Sequence, residues 1–186
     1  MIPSRKAPTI KRPRRERIQM MRKEGMRVFF MIFLTVYGNL IVGVLYLYNP
    51  QWIFWAYLGL PLELRMVGLV LGIVSVPYAY WVGQTLANLY SFTVEVQKEH
   101  KLITTGPYKR VRHPLYAATL LFLIGQALIS DNWLFLVIVL ATVPGFIVRI
   151  EKEEGMMIEE FGDEYRDYMK RTGRLLPRFS SRNGDS

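Results

Sequence analysis

The sequence predicts an all-α integral membrane protein with about four transmembrane helices, and a fifth if the short segment 51–61 also crosses. A pocket at the cytoplasmic face, closed by a C-terminal helix, completes the expected architecture. Three observations carry this. Half of the 186 residues are hydrophobic although the net charge is +9, a combination ordinary for a membrane protein with basic flanks. Four apolar runs are separated by short polar breaks. Finally, the charges are confined to a few stretches, with ten Lys/Arg against two Glu in residues 1–27, so that +8 of the +9 lies there.

The basic stretch 1–27 has three prolines and no apolar periodicity. It reads as a cytoplasmic tail, either a topology signal alone or a binder of anionic headgroups. Nucleic acid is not an expected partner, because a membrane helix follows at once, and the long basic region without a small-residue cleavage site does not read as a secretory signal. No charged side chain occurs from Val28 to Leu62. The run 28–48 is long enough to cross a bilayer, and Asn49-Pro50 stops it. The segment 51–61, rich in Trp and Tyr, is suited to the headgroup boundary, lying flat or dipping in. The second crossing is expected at 66–86. Gly68 and Gly72 stand four apart there and read as a packing surface, and Pro77 is expected to kink the helix.

Residues 87–113 form a polar stretch. Two apolar runs, 114–130 and 132–148, then predict a tight hairpin broken only at Asp131-Asn132, with Pro144-Gly145 bending its second arm. Residues 149–179 look helix-like and charged. Their Phe161, Tyr165, Tyr168 and Met169 form an apolar stripe that docks the C-terminus onto the rest. Four crossings put both termini and the 87–113 loop on the cytoplasmic side. The domain reading is a tail, 1–27, followed by one membrane domain, 28–186.

The chain has no cysteine and only two histidines, His100 and His113. That excludes disulfides, thiolate metal sites and cysteine nucleophiles, and a multi-histidine metal site is not expected. A hairpin returns its ends to one depth, so His113 and Arg149 should be neighbours. Each charged residue there also has a plain structural reading: Arg112 snorkelling to headgroups, His113-Pro114 as a helix start, Arg149–Glu153 as a surface pair. Together they suggest a functional site, since ionisable groups at membrane depth are costly.

The stretch HKLITTGPYKRVRHPLY (100–116) followed by RIEKEEGMMIEEFGDEYRDYMKR (149–171) closely resembles the isoprenylcysteine carboxyl methyltransferase family, whose relatives include phospholipid N- and thiol methyltransferases. Several separated motifs agree in order and spacing over residues 85–178, with Gly125 and Asn132 also fitting. The first half matches only in hydropathy, and Gly155 stands where an apolar residue is usual. The resemblance implies S-adenosylmethionine as cofactor, held by a core spanning 92–178. Position by position it implies contacts from Gln97, His100, Lys101, Leu102, Ile103, Tyr108, His113, Pro114, Leu115, Tyr116 and Glu153. Arg149 would hold the substrate, a lipid-like or prenylated carboxylate, and act in catalysis. Glu154 would take a proton if the acceptor were an amine. These residue types suit the chemistry. A helix N-terminus at Pro114 favours a carboxylate, a glutamate pairs with an ammonium, and tyrosines stack on adenine or face a sulfonium. Arg112-His113-Pro114 would then form the pocket floor. Two other readings fit fewer features: an NADPH-dependent membrane sterol-type reductase, and a non-catalytic membrane anchor.

Overall fold

The computed structural model describes residue 33, residues 35–93 and residues 102–178, with backbone alone for 88–93. The basic tail expected at 1–27 lies outside them. The described residues form five α-helices: α1 (Thr35–Tyr48), α2 (Leu62–Thr93), α3 (Pro114–Ser130), α4 (Trp133–Phe161) and α5 (Asp163–Arg171). Among the described residues there is no strand, so the all-α expectation holds. α2 and α4 are long and apolar enough to cross a membrane by length and composition.

Local chemistry explains most boundaries. Asn49 accepts a hydrogen bond from the Gln51 amide at 3.0 Å and starts a seven-residue 3-10 turn, Pro50–Ala56. At about 2 Å per residue this turn is far too short to span a bilayer, which removes the possible fifth crossing. Its Ile53 and Ala56 are buried and Trp52, Phe54 and Trp55 are exposed. Pro114 occupies the first turn of α3, where its missing N–H costs nothing. Asp131 ends α3 in the left-handed region (φ 53°). Asn132 caps α4 through its Oδ1, which accepts from the Leu134 amide at 3.0 Å.

This two-residue turn also fastens the hairpin to the 50–60 segment. Asp131 Oδ1 accepts from the Leu60 amide at 2.8 Å, Asn132 Nδ2 donates to the Ile53 carbonyl at 3.3 Å, and Tyr57 and Asn132 form an antiparallel bridge. The tips of the α1–α2 and α3–α4 hairpins therefore meet at one end of the molecule.

α2 and α3 cross at small residues. A Cβ on Gly125 would sit 2.7 Å from both the Gly68 carbonyl and the Gly72 amide nitrogen. The packing role read for Gly68 and Gly72 is what the structure shows. The core between α3 and α4 is built from Leu123, Ala127, Phe135, Ile138 and Val139, with Val42 and Tyr46 of α1 packed against it. The Thr35 and Thr142 hydroxyls are hydrogen-bonded across α1 and α4 at 2.7 Å.

Two expected boundaries differ. α2 runs past 66–86 to 62–93 and is a continuous helix through Pro77. α4 likewise continues through Pro144, joining the apolar run 132–148 to the charged run as one 29-residue helix. Both prolines are exposed, so no packed neighbour is displaced by the carbonyl each leaves without a donor. At 1.5 Å per residue α4 is about 44 Å long, longer than a hydrocarbon core, and its charged end projects beyond the apolar run. Gly162, at φ 56°, breaks the chain between α4 and α5.

Candidate active site

The end of the molecule opposite the hairpin tips gathers the start of α3, the charged end of α4 and the turn into α5. His113 is the N-cap residue of α3, yet its side chain makes no cap hydrogen bond. It is 8% exposed, with Nδ1 3.6 Å from Glu153 Oε2 and Nε2 3.5 Å from Glu154 Oε1. Neither contact is a hydrogen bond, and Nε2 is buried without a hydrogen-bond partner. Tyr116, one turn on, donates its hydroxyl to Glu153 Oε1 at 2.7 Å, and Arg149 Nε donates to the same oxygen at 3.0 Å. The imidazole at 113 and the guanidinium at 149 thus flank one carboxylate, as the hairpin reading requires.

The neighbouring Glu154 is nearly fully buried, at 3% exposure. Arg112 Nε approaches its Oε1 at 2.8 Å, and Arg174 holds Oε2 through Nη2 at 2.9 Å and Nε at 3.1 Å. Arg112 also donates to the Met169 carbonyl at 3.0 Å and to the Thr172 carbonyl. It thereby places a cation on the last carbonyls of α5, where the helix dipole favours one. Arg112 thus fastens α5, and both oxygens of Glu154 are committed to arginines, Oε1 to Arg112 and Oε2 to Arg174.

The C-terminal stripe docks here. Tyr165 and Tyr168 are buried, and Tyr168 donates to the Tyr108 carbonyl at 2.6 Å. Burial pushes the Tyr165 hydroxyl up to about 12 and raises Tyr168 as well, so both stay neutral donors. After α5 the backbone pairs with the segment before α3: Val111 bridges Gly173, the Arg112 amide donates to the Gly173 carbonyl at 2.8 Å, and the His113 amide donates to the Arg174 carbonyl at 3.0 Å.

The remaining expected positions are spread around this cluster. Tyr108 is half-buried in a 3-10 turn, Gly106–Lys109, that rests on α2 at Thr85. Burial, then the charge of Glu153, raises its hydroxyl. Leu102 and Ile103 are half-buried, Pro114 is buried and Leu115 is exposed. Gln97, His100 and Lys101 lie outside the described residues. Sequence reading passed over Arg174 and Thr172, whose partners are 20 and 60 residues away. No local pattern signals them.

A family model described as phospholipid methyltransferase matches residues 64–164, more than half of the chain and nearly all of the α2–α4 frame. The chain belongs to the phospholipid methyltransferase family. Within it, this family member is similar to the protein-S-isoprenylcysteine O-methyltransferases, as the motifs suggested. It is 33% identical to that of Schizosaccharomyces pombe over 96 residues, covering 51% of this chain and 40% of the relative. The Saccharomyces cerevisiae counterpart is 36% identical over 96 residues, 50% of this chain and 40% of the relative. It is also 32% identical to the cobalt-zinc-cadmium resistance protein CzcN of Cupriavidus metallidurans over 119 residues, 63% of this chain and 53% of the relative. This phospholipid methyltransferase family member thus aligns with about half, or less, of the length of each of these relatives.

Proposed function

We propose that the protein is an integral-membrane methyltransferase with S-adenosylmethionine as methyl donor and a lipid-like acceptor, in the first instance an isoprenylcysteine-type carboxylate. The observation that carries this is the convergence of His113, Tyr116 and Arg149 on the Glu153 carboxylate at one end of the bundle, in a chain of this family. The donor supplies, when bound, a methyl group on a positively charged sulfur.

The residues present fit such a molecule. The buried, unpartnered His113 Nε2 is a polar atom with capacity to spare. The first-turn amides of α3 at Leu115 and Tyr116 have no intrahelical acceptor and suit a carboxylate. Glu153, half-buried, suits an ammonium. The rings of Tyr108 and Tyr116 offer faces for adenine or for a sulfonium. Leu102 and Ile103 would line this site, with Gln97, His100 and Lys101 as further contacts by family position.

Arg149 is 44% exposed in its side chain and has one described carboxylate partner, Glu153. Its remaining guanidinium donors can hold an acceptor carboxylate. A carboxylate acceptor is already a nucleophile and needs no base, which agrees with the commitment of Glu154 to two arginines. The pocket's work is then positioning and exclusion of water. Amine and thiol acceptors would use the same cofactor site, and the family description favours testing a phospholipid amine alongside.

The test is calorimetric titration of the purified protein, in a detergent that preserves its thermal transition, with S-adenosylmethionine and its demethylated product. Binding of both is expected, and binding of neither ends the proposal. Incubation with labelled donor and either a farnesylated cysteine or phosphatidylethanolamine then assigns the acceptor by which product gains the label.

A further inference from the structure

Arg174 reaches back from beyond α5 to a carboxylate that already has a cation. Glu154 thus carries Arg112 on one oxygen and Arg174 on the other. Between Glu154 and Glu153 lies the His113 ring, about 3.5 Å from the first and 3.6 Å from the second, hydrogen-bonded by its side chain to neither. A buried carboxylate deprived of one of two cations draws in the nearest donor. Here that donor is the imidazole, whose Nε2 needs only a small shift to bond Glu154 Oε1. The backbone pairing of 110–113 with 173–174 and the hold of Arg112 on Thr172 do not use the Arg174 side chain. The strap can therefore stay in place when that side chain changes.

We propose that Arg174 is a positioning residue which, by saturating Glu154, keeps the His113 imidazole uncaptured and its Nε2 available to the methyl donor. The proposal deepens the methyltransferase reading and rests on it for its functional consequence.

The experiment uses the full chain in detergent, with nitrogen NMR of the two imidazoles, His100→Gln assigning the His113 signals. In the otherwise unaltered protein Nε2 should show the signature of an unbonded nitrogen. In Arg174→Gln it should move to that of a hydrogen-bonded one, while the amides of 111–113 keep their exchange protection. Affinity for S-adenosylmethionine should fall about tenfold, the scale of one charge-assisted hydrogen bond. Arg174→Lys, which keeps a cation, should restore most of both readings. Unchanged His113 signals in Arg174→Gln overturn the proposal. Should that variant release the strap amides, the double variant Arg174→Gln, Glu154→Leu decides. A side chain with no oxygen or nitrogen cannot hydrogen-bond the ring, so the unbonded signature should return, and its failure to return overturns the proposal too. The NMR reading needs no donor. Absence of donor binding by the unaltered protein would therefore count against the methyltransferase reading and not against the contact.

Discussion

Adjacent glutamates take opposite tasks because a helix turns about 100° per residue. Glu153 faces Tyr116 and Arg149, and Glu154 faces Arg112 and Arg174. Glu153→Gln keeps shape but removes the charge, and should weaken S-adenosylmethionine binding by about tenfold or more, read by calorimetry. Arg149→Ala should behave differently. Its loss should lower turnover while leaving donor affinity within about threefold, since one exposed pair with Glu153 is worth under 1 kcal/mol; an equal fall in both would refute the separation of roles. Arg112→Ala leaves Glu154 short of a cation and the end of α5 uncapped. It should destabilise by about 3 kcal/mol or more, visible as a lower denaturation midpoint. The sequence showed the local relations here, the His-Pro helix start and the Arg149–Glu153 spacing of four. It did not show what Arg112 binds, because its partners lie 42 to 60 residues ahead and spacing rules reach only a turn or so.

Helix pairing was more legible than helix length. Gly68 and Gly72 announced a close crossing, and Gly125 supplies the matching surface on α3. Because the atoms facing a new Cβ at Gly125 are backbone, neither helix can yield by changing a rotamer. Gly125→Ala should therefore cost about 1 to 3 kcal/mol, the range of overpacking, and lower the thermal midpoint in detergent. Gly43, with nothing within 4 Å of an added Cβ, should accept alanine with no loss. An equal loss at both sites would mean that the crossing is not held by close approach. The expected lengths of α2 and α4 fell short because each apolar run was closed at its polar flank, whereas the helices continue into polar sequence, α2 on to Thr93 and α4 past Arg149 to Phe161. Pro77 and Pro144 stand on exposed faces, where the unpaired carbonyl displaces no packed neighbour, and the helices pass through them.

At the scale of the molecule, the pattern of apolar runs anticipated four crossings, the last two as a hairpin, and the structure fastens that hairpin's turn, through Asp131 and Asn132, to the 50–60 segment that links the first two. The charged cluster sits at the other end. In a bilayer this arrangement separates Gln51, beside the aromatic tip, from Lys109, beside the cluster, by the full apolar length of the bundle. α2 and α4 are long enough for that, whereas α3, at 17 residues, is close to the minimum. A chain without cysteine makes the topology directly measurable, since each introduced thiol is the sole reporter. Gln51→Cys and Lys109→Cys replace exposed side chains outside the candidate site. In sealed right-side-out vesicles an impermeant maleimide should label the first from outside and the second only after the membrane is opened. The excess of Lys/Arg in residues 1–27 predicts that the Lys109 side is the cytoplasmic one. Labelling of both thiols from one side would mean that the hairpins lie along the membrane instead of crossing it, and the pocket would then lose its access to a lipid-borne acceptor from within the bilayer.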